Sequence, residues 1–211
     1  MKKDLRNMRN QAALKAALRR LLEEKNYPEI TVSEIASQAG LSRSTFYAYY
    51  ENKDECLKAL FQEAFAYAAS HYPVVFENVR SLEELNNIAT PDYFDKLQEN
   101  ATIFLTAFSV FTFQVLTFLC IPVIQDNFFI LQPDFLLFKA DEAVLRAFRF
   151  TYAHFCLSFI YSLLTPASDH ALSKDQFLSL NRLWFYIMAK FGGYCPAQSP
   201  PNGQAPPPSH S

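Results

Sequence analysis

Arg43, Ser44 and Thr45 are three adjacent side chains that can read the edge of a DNA base. An arginine can make a bidentate contact to guanine, and a threonine can offer a methyl or a hydroxyl. They can do so only from a helix that enters a groove, and the flanking residues supply one. Thr31 is a candidate N-cap, with Glu34 three residues on at capping-box spacing. Val32, Ile35, Ala36 and Ala39 put small apolar groups on one helical face. Gly40 then supplies the left-handed backbone of a sharp turn, and Leu41 can plug the angle. Ser42 caps a second helix carrying Arg43, Ser44, Thr45, Phe46 and Tyr47. Short helix, glycine turn and polar second helix make a helix-turn-helix.

The order Thr31-Val32, Ile35-Ala36, Ala39-Gly40-Leu41-Ser42, Thr45-Phe46-Tyr47, Tyr50, Lys53 resembles the DNA-binding domain of the TetR/AcrR transcriptional regulators over roughly residues 9 to 65. The resemblance implies that Tyr47 and Lys53 contact phosphate, with the helix dipole assisting Lys53. Tyr49 stands where histidine is common, and its hydroxyl can also reach a phosphate. Phe46 and Tyr50 match positions that hold the three helices together. Thr31 and Ser42 complete the candidate DNA contacts. Beyond the head, the resemblance implies an all-α chain with a C-terminal bundle that binds a small effector and dimerises.

Charge is distributed as such a head requires. The 211-residue chain carries a net charge of −2, yet residues 1–53 hold ten basic against six acidic side chains. A basic head on an acidic body suits DNA; a solvated charged helix accounts for part of the excess. Lys2, Lys3, Arg6 and Arg9 can form an arm onto the backbone. Cys56, Cys120, Cys156 and Cys195 show no CxxC pairing, the N-terminus has no apolar signal segment, and reduced cytoplasmic thiols are expected, a redox-sensing thiol being the lesser reading. There is no metal spacing around the four histidines and no GxSxG, Walker or dinucleotide loop, so neither an enzyme nor a cofactor is expected.

In chain order, Leu14, Ala17, Leu18, Leu21 and Leu22 predict a helix over 4–25, with Asn26 where the family often has glycine. Residues 1–52 are then a DNA-binding domain and 53–72 a connecting helix. Residues 73–195 are an effector-binding and dimerisation domain, and 196–211 a disordered Pro-rich tail. In the body, short and long helices are predicted over 81–88 and 91–119, Pro122 ending the latter. A helix over 139–164 and one from Ser173 to Gly192 follow. Residues 101–124 lack charge and are long enough to cross a bilayer, but their regular Thr, Ser and Gln and the absence of flanking basic anchors favour a bundle core.

Phe104, Phe108, Phe111, Gln114, Val115 and Phe118, with Tyr152 and His154, are candidate linings of a pocket for a hydrophobic or aromatic effector, although an aromatic stripe also suits a filled core. Phe148, Tyr152, Phe155 and Phe159, with Phe177, Leu180, Trp184, Ile187 and Phe191, are expected at a four-helix homodimer interface. Two heads would read a near-palindromic operator on double-stranded DNA. The expected function is a ligand-responsive repressor. A TetR-like DNA-binding module without an effector is the alternative, and activation stays open.

Overall fold

The computed structural model describes residues 2–70, 91–127, 142–165, 172–176 and 179–180. The predicted helix at 81–88, most of the last helix and the Pro-rich tail lie outside them. Every regular element described is helical.

Helix α1 runs Lys2–Glu24 and buries Leu14, Leu18, Leu21 and Leu22 along its inner stripe. A 3-10 turn at Tyr27–Glu29 follows, entered from Asn26 in an extended conformation. Asn26 therefore needs no left-handed backbone. Helix α2 is Val32–Gln38, and the capping box forms as the spacing predicts: Thr31 Oγ1 accepts from the Glu34 amide while the Glu34 carboxylate accepts from Thr31 N–H. Helix α3 is Arg43–Tyr47, with Ser42 Oγ accepting from Thr45 N–H.

Gly40 makes the turn between them at φ 68°, and a Cβ built there would meet nothing within 4 Å. Any loss from Gly40→Ala is therefore backbone strain, about 1–2 kcal/mol, with no steric part. Urea unfolding should show that loss, and Gly40→Asn should recover part of it. Equal stability of the alanine variant would contradict this.

Helix α4, Lys53–Ser70, joins head to body. Its first turns bury Cys56 and Leu57 among the head helices, and its later turns bury Phe61 and Phe65 in the body. Phe61 stacks on Phe65 and meets Phe104 edge to face at 5.6 Å. One buried cluster runs through both halves.

The long body helix predicted over 91–119 is instead three: α5 Pro91–Glu99, α6 Ala101–Val110 and α7 Phe113–Asn127. Asn100 and Thr112 make the breaks. Asn100 is 3 % exposed; its amide donates to Lys96 O at 2.8 Å, and its Oδ1 accepts from Arg19 Nη1 at 2.6 Å. Thr112 Oγ1 accepts from Val115 N–H at 3.4 Å at the start of α7, while Phe111 is extended and Phe108 stacks on Phe113 across the gap. The end predicted at Pro122 is also displaced, since Pro122 sits inside α7. Proline loosens the carbonyls one turn before it, and there Gln62 of α4 donates to Leu119 O at 3.0 Å. Pro122 itself is exposed. The break at 111–112 also disposes of residues 101–124 as one continuous span; among the described residues, no helix is long and apolar enough to cross a membrane.

Helix α8 is Glu142–Leu164 and packs on α7 and α6.

Candidate nucleic-acid interface

Helix α3 is seated by its one apolar side chain that points inward. Phe46 is fully buried, with Tyr47 edge-on at 5.6 Å and Tyr50 at 5.7 Å. With Phe46 facing the core, helical geometry turns Ser44 and Tyr47 away from it, while Arg43 stands at the open first position of the helix. All three are exposed, Tyr47 by 49 %. Arg43 has no acidic partner among the described residues. Thr45 is half-buried, its hydroxyl 2.8 Å from Ser42 Oγ.

The remaining candidates are spent inside the chain. Thr31 Oγ1 works wholly in the capping box, and Ser42 Oγ in capping α3. Tyr49 Oη donates to Asn7 Oδ1 and accepts from Asn10 Nδ2, both at 3.0 Å. Lys53 Nζ donates to the carbonyls of Tyr27, Pro28 and Ile30 at 2.9, 3.2 and 2.8 Å and lies 4.5 Å from the centre of the Tyr27 ring. The phosphate roles expected of Tyr49 and Lys53 thus meet side chains already engaged in the free chain. Three backbone carbonyls converge on the start of α4 because the 3-10 turn ends there, and an ammonium satisfies all of them. Neither Asn7 nor Asn10 was legible as part of this surface, since their partner is 39 or more residues away.

Electrostatics stiffen the head further. Lys25 and the capping-box bonds from Thr31 lower the Glu34 carboxyl from 4.5 to about 2. A depressed carboxyl contributes stability above its ordinary value and loses it as pH falls through the folded one. The Glu34 side-chain resonance is therefore expected to titrate near pH 2 by NMR; a midpoint near 4.5 would show the box unformed. Burial, and then the 2.5 Å bond to Asp54, push the Tyr27 phenol up. Burial likewise pushes the Cys56 and Cys156 thiols up to about 12 and Cys120 well above its usual value, so these three are protonated and poorly nucleophilic at neutral pH.

The candidate effector linings differ in burial. Phe104 is fully buried against Phe61, and Tyr152 is buried and stacked on Phe148. Phe108, Phe111 and Val115 are half-buried, with Lys58 Nζ 5.5 Å from the Phe111 ring centre. Gln114, Phe118 and His154 are exposed. His154 Nδ1 lies 3.2 Å from Thr117 Oγ1 and between the rings of Phe113 and Phe150. Of the stripe expected at a dimer interface, Tyr152 and Phe159 are buried within the chain, Phe148, Phe155 and Leu180 are half-buried, and Phe177, Trp184, Ile187 and Phe191 lie outside the described residues. Among the described residues, the large apolar side chains left exposed on α7 and α8 are Phe118, Val144 and Tyr161. Among the described residues, no group of three His, Cys, Asp or Glu can hold a metal.

Residues 14–60 match the model of the bacterial regulatory proteins of the tetR family. Residues 14–60 carry the DNA-binding head of that family. Beyond the head, the helical body shares its fold with solved TetR-family structures. It is 28 % identical over 195 residues to the uncharacterized HTH-type transcriptional regulator YxbF of Bacillus subtilis, covering 89 % of this chain and 47 % of that protein. It is 38 % identical over 69 residues to the HTH-type transcriptional regulator EthR of Mycolicibacterium smegmatis, covering 33 % of this chain and 32 % of that one. The chain thus spans about half or less of the length of these curated relatives. The TetR family repressor AlkX from Dietzia sp., implicated in biodegradation of n-alkanes, shares the fold at a TM-score of 0.55 and 15 % identity, over 87 % of this chain and 95 % of that one.

Proposed function

We propose that this chain is a cytoplasmic, sequence-specific DNA-binding transcriptional regulator of the TetR family. In this reading it is a homodimeric repressor, released from a near-palindromic operator by a small hydrophobic or aromatic effector. Residues 1–52 bind DNA, 53–72 connect, and 73–195 take the effector and the second copy. Arg43, Ser44 and Thr45 read base edges, and Tyr47 contacts phosphate. The observation that carries the reading is α3 itself, capped by Ser42, anchored by a fully buried Phe46, and presenting Arg43, Ser44 and Tyr47 to solvent. A second copy has an apolar surface to cover in Phe118, Val144 and Tyr161. The aromatic character of the body suits an apolar ligand.

Fluorescence anisotropy with duplex DNA from upstream of the protein's own gene, at two salt concentrations, tests this. Selective binding that weakens steeply with salt, and more weakly selective binding by Arg43→Ala, is expected. No preference over random duplex at either salt would sink it. A DNA-binding module without an effector is favoured by one observation: Phe104 and Tyr152 are packed to near-zero exposure within the core. If no member of a panel of hydrophobic and aromatic compounds weakens DNA binding, that reading prevails.

A further inference from the structure

The buried stripe of α1 does not stop where the head core stops. Stepping back from Leu21, Leu18 and Leu14 by three or four residues reaches Asn10 and then Asn7. Beyond Leu14 the inner face of α1 therefore turns polar, and both asparagines are half-buried. Their acceptor and donor converge on a single atom. Tyr49 Oη donates to Asn7 Oδ1 and accepts from Asn10 Nδ2, each at 3.0 Å, so the hydroxyl makes two protein bonds. Tyr49 lies two residues past the end of α3. The overhanging turns of α1 are thereby pinned beside the C-terminal end of the recognition helix.

That pinning places charge. Arg6 and Arg9 each precede a clamp asparagine by one residue, so both lie on one flank of the pinned turns. Both are exposed, and among the described residues neither has a carboxylate partner. Without a tertiary contact, the first turns of a helix fray, because their amides have no intrahelical acceptor. Two arginines on a frayed end lose conformational entropy on reaching a phosphate; on a fixed end that loss is already met.

The geometry points to Tyr49 as a positioning residue that holds Arg6 and Arg9 beside α3 as a pair of phosphate contacts. It rests on the DNA-binding reading above and names partners within it: two adjacent phosphates flanking the bases read by α3. Tyr49 then acts through α1 and does not itself touch DNA.

The experiment compares wild type, Tyr49→Phe, the double variant Arg6→Gln/Arg9→Gln, and the triple variant. Binding to a short duplex from upstream of the gene, and to a random duplex, is measured across a salt series. Each lost phosphate contact lowers the slope of log affinity against log salt by about 0.9. The double variant is expected to lose about two per chain. Tyr49→Phe should fall in the same direction, and the triple variant no further than the double. A Tyr49→Phe slope equal to wild type would overturn the proposal. So would a triple variant that binds several-fold more weakly than the double at every salt concentration with the same slope, which would mean that the uncharged Tyr49 hydroxyl itself contacts phosphate. Amide exchange on the free protein supplies a readout independent of DNA. Residues 5–10 should exchange at least several-fold faster in Tyr49→Phe, with unchanged rates in α4. Unchanged exchange at 5–10 would refute the clamp. If wild type prefers no duplex while the exchange effect is present, it is the DNA reading that fails.

Discussion

Phe46→Ala is expected to destabilise the protein by about 3–5 kcal/mol, the range for removing a fully buried phenylalanine from a packed core. Phe46 is completely excluded from solvent, contacts Tyr47 and Tyr50 through ring edges and faces, and is the apolar anchor of a helix only five residues long. A helix that short has almost no stability of its own, so α3 exists because Phe46 docks it. The buried cluster runs without interruption from the head into the body through α4. Equilibrium urea unfolding followed by circular dichroism should therefore report the loss as a lowered midpoint for the whole chain. Phe46→Leu, which keeps most of the apolar volume, should lose under half as much. A loss below 1 kcal/mol for the alanine variant would mean that α3 is held by something else.

Lys53→Met carries the second large effect, about 2 kcal/mol. The substitution keeps an apolar stem of similar length but removes the ammonium, leaving the carbonyls of Tyr27, Pro28 and Ile30 without their common donor and the Tyr27 ring without its cation. Hydrogen bonds to a charged group are each worth about 1.5–3 kcal/mol when buried. Lys53 is half-exposed, and water can replace part of what is lost; hence a total close to that of one bond. Thermal unfolding without DNA measures it. A phosphate contact alone would leave the free protein's stability unchanged, so an unaltered midpoint would contradict the internal role.

The contrast between these residues shows which parts of the fold were legible. The head could be read because its determinants are local. A threonine with a glutamate three residues on, a glycine at the turn and a serine before Arg43 each act on backbone within one turn. Phe46 and Tyr50 followed from the resemblance, which puts them where the three head helices meet. The body was legible as helical but not in its breaks. Asn100 interrupts α5–α6 while receiving Arg19 from a helix 81 residues away, and Pro122 is tolerated beside a carbonyl that Gln62 serves across 57 residues. No local pattern announces such partners. The candidate site divides along the same line. Ser44 and Tyr47 face away from Phe46 as helical spacing dictates and Arg43 is exposed at the helix start, whereas Tyr49 and Lys53 are drawn inward by acceptors on other elements. In the body, Phe104 and His154 were grouped as candidate pocket linings, yet Phe104 is fully buried and His154 is exposed.

Selection of bound sequences from a random duplex pool is the most direct test of the claim that α3 reads DNA. The wild-type chain is expected to enrich a near-palindrome of two half-sites, and Arg43→Ala to relax the preference at one position in each half, where a bidentate arginine is worth about 1–3 kcal/mol of discrimination. A pool that emerges with no common sequence would contradict it.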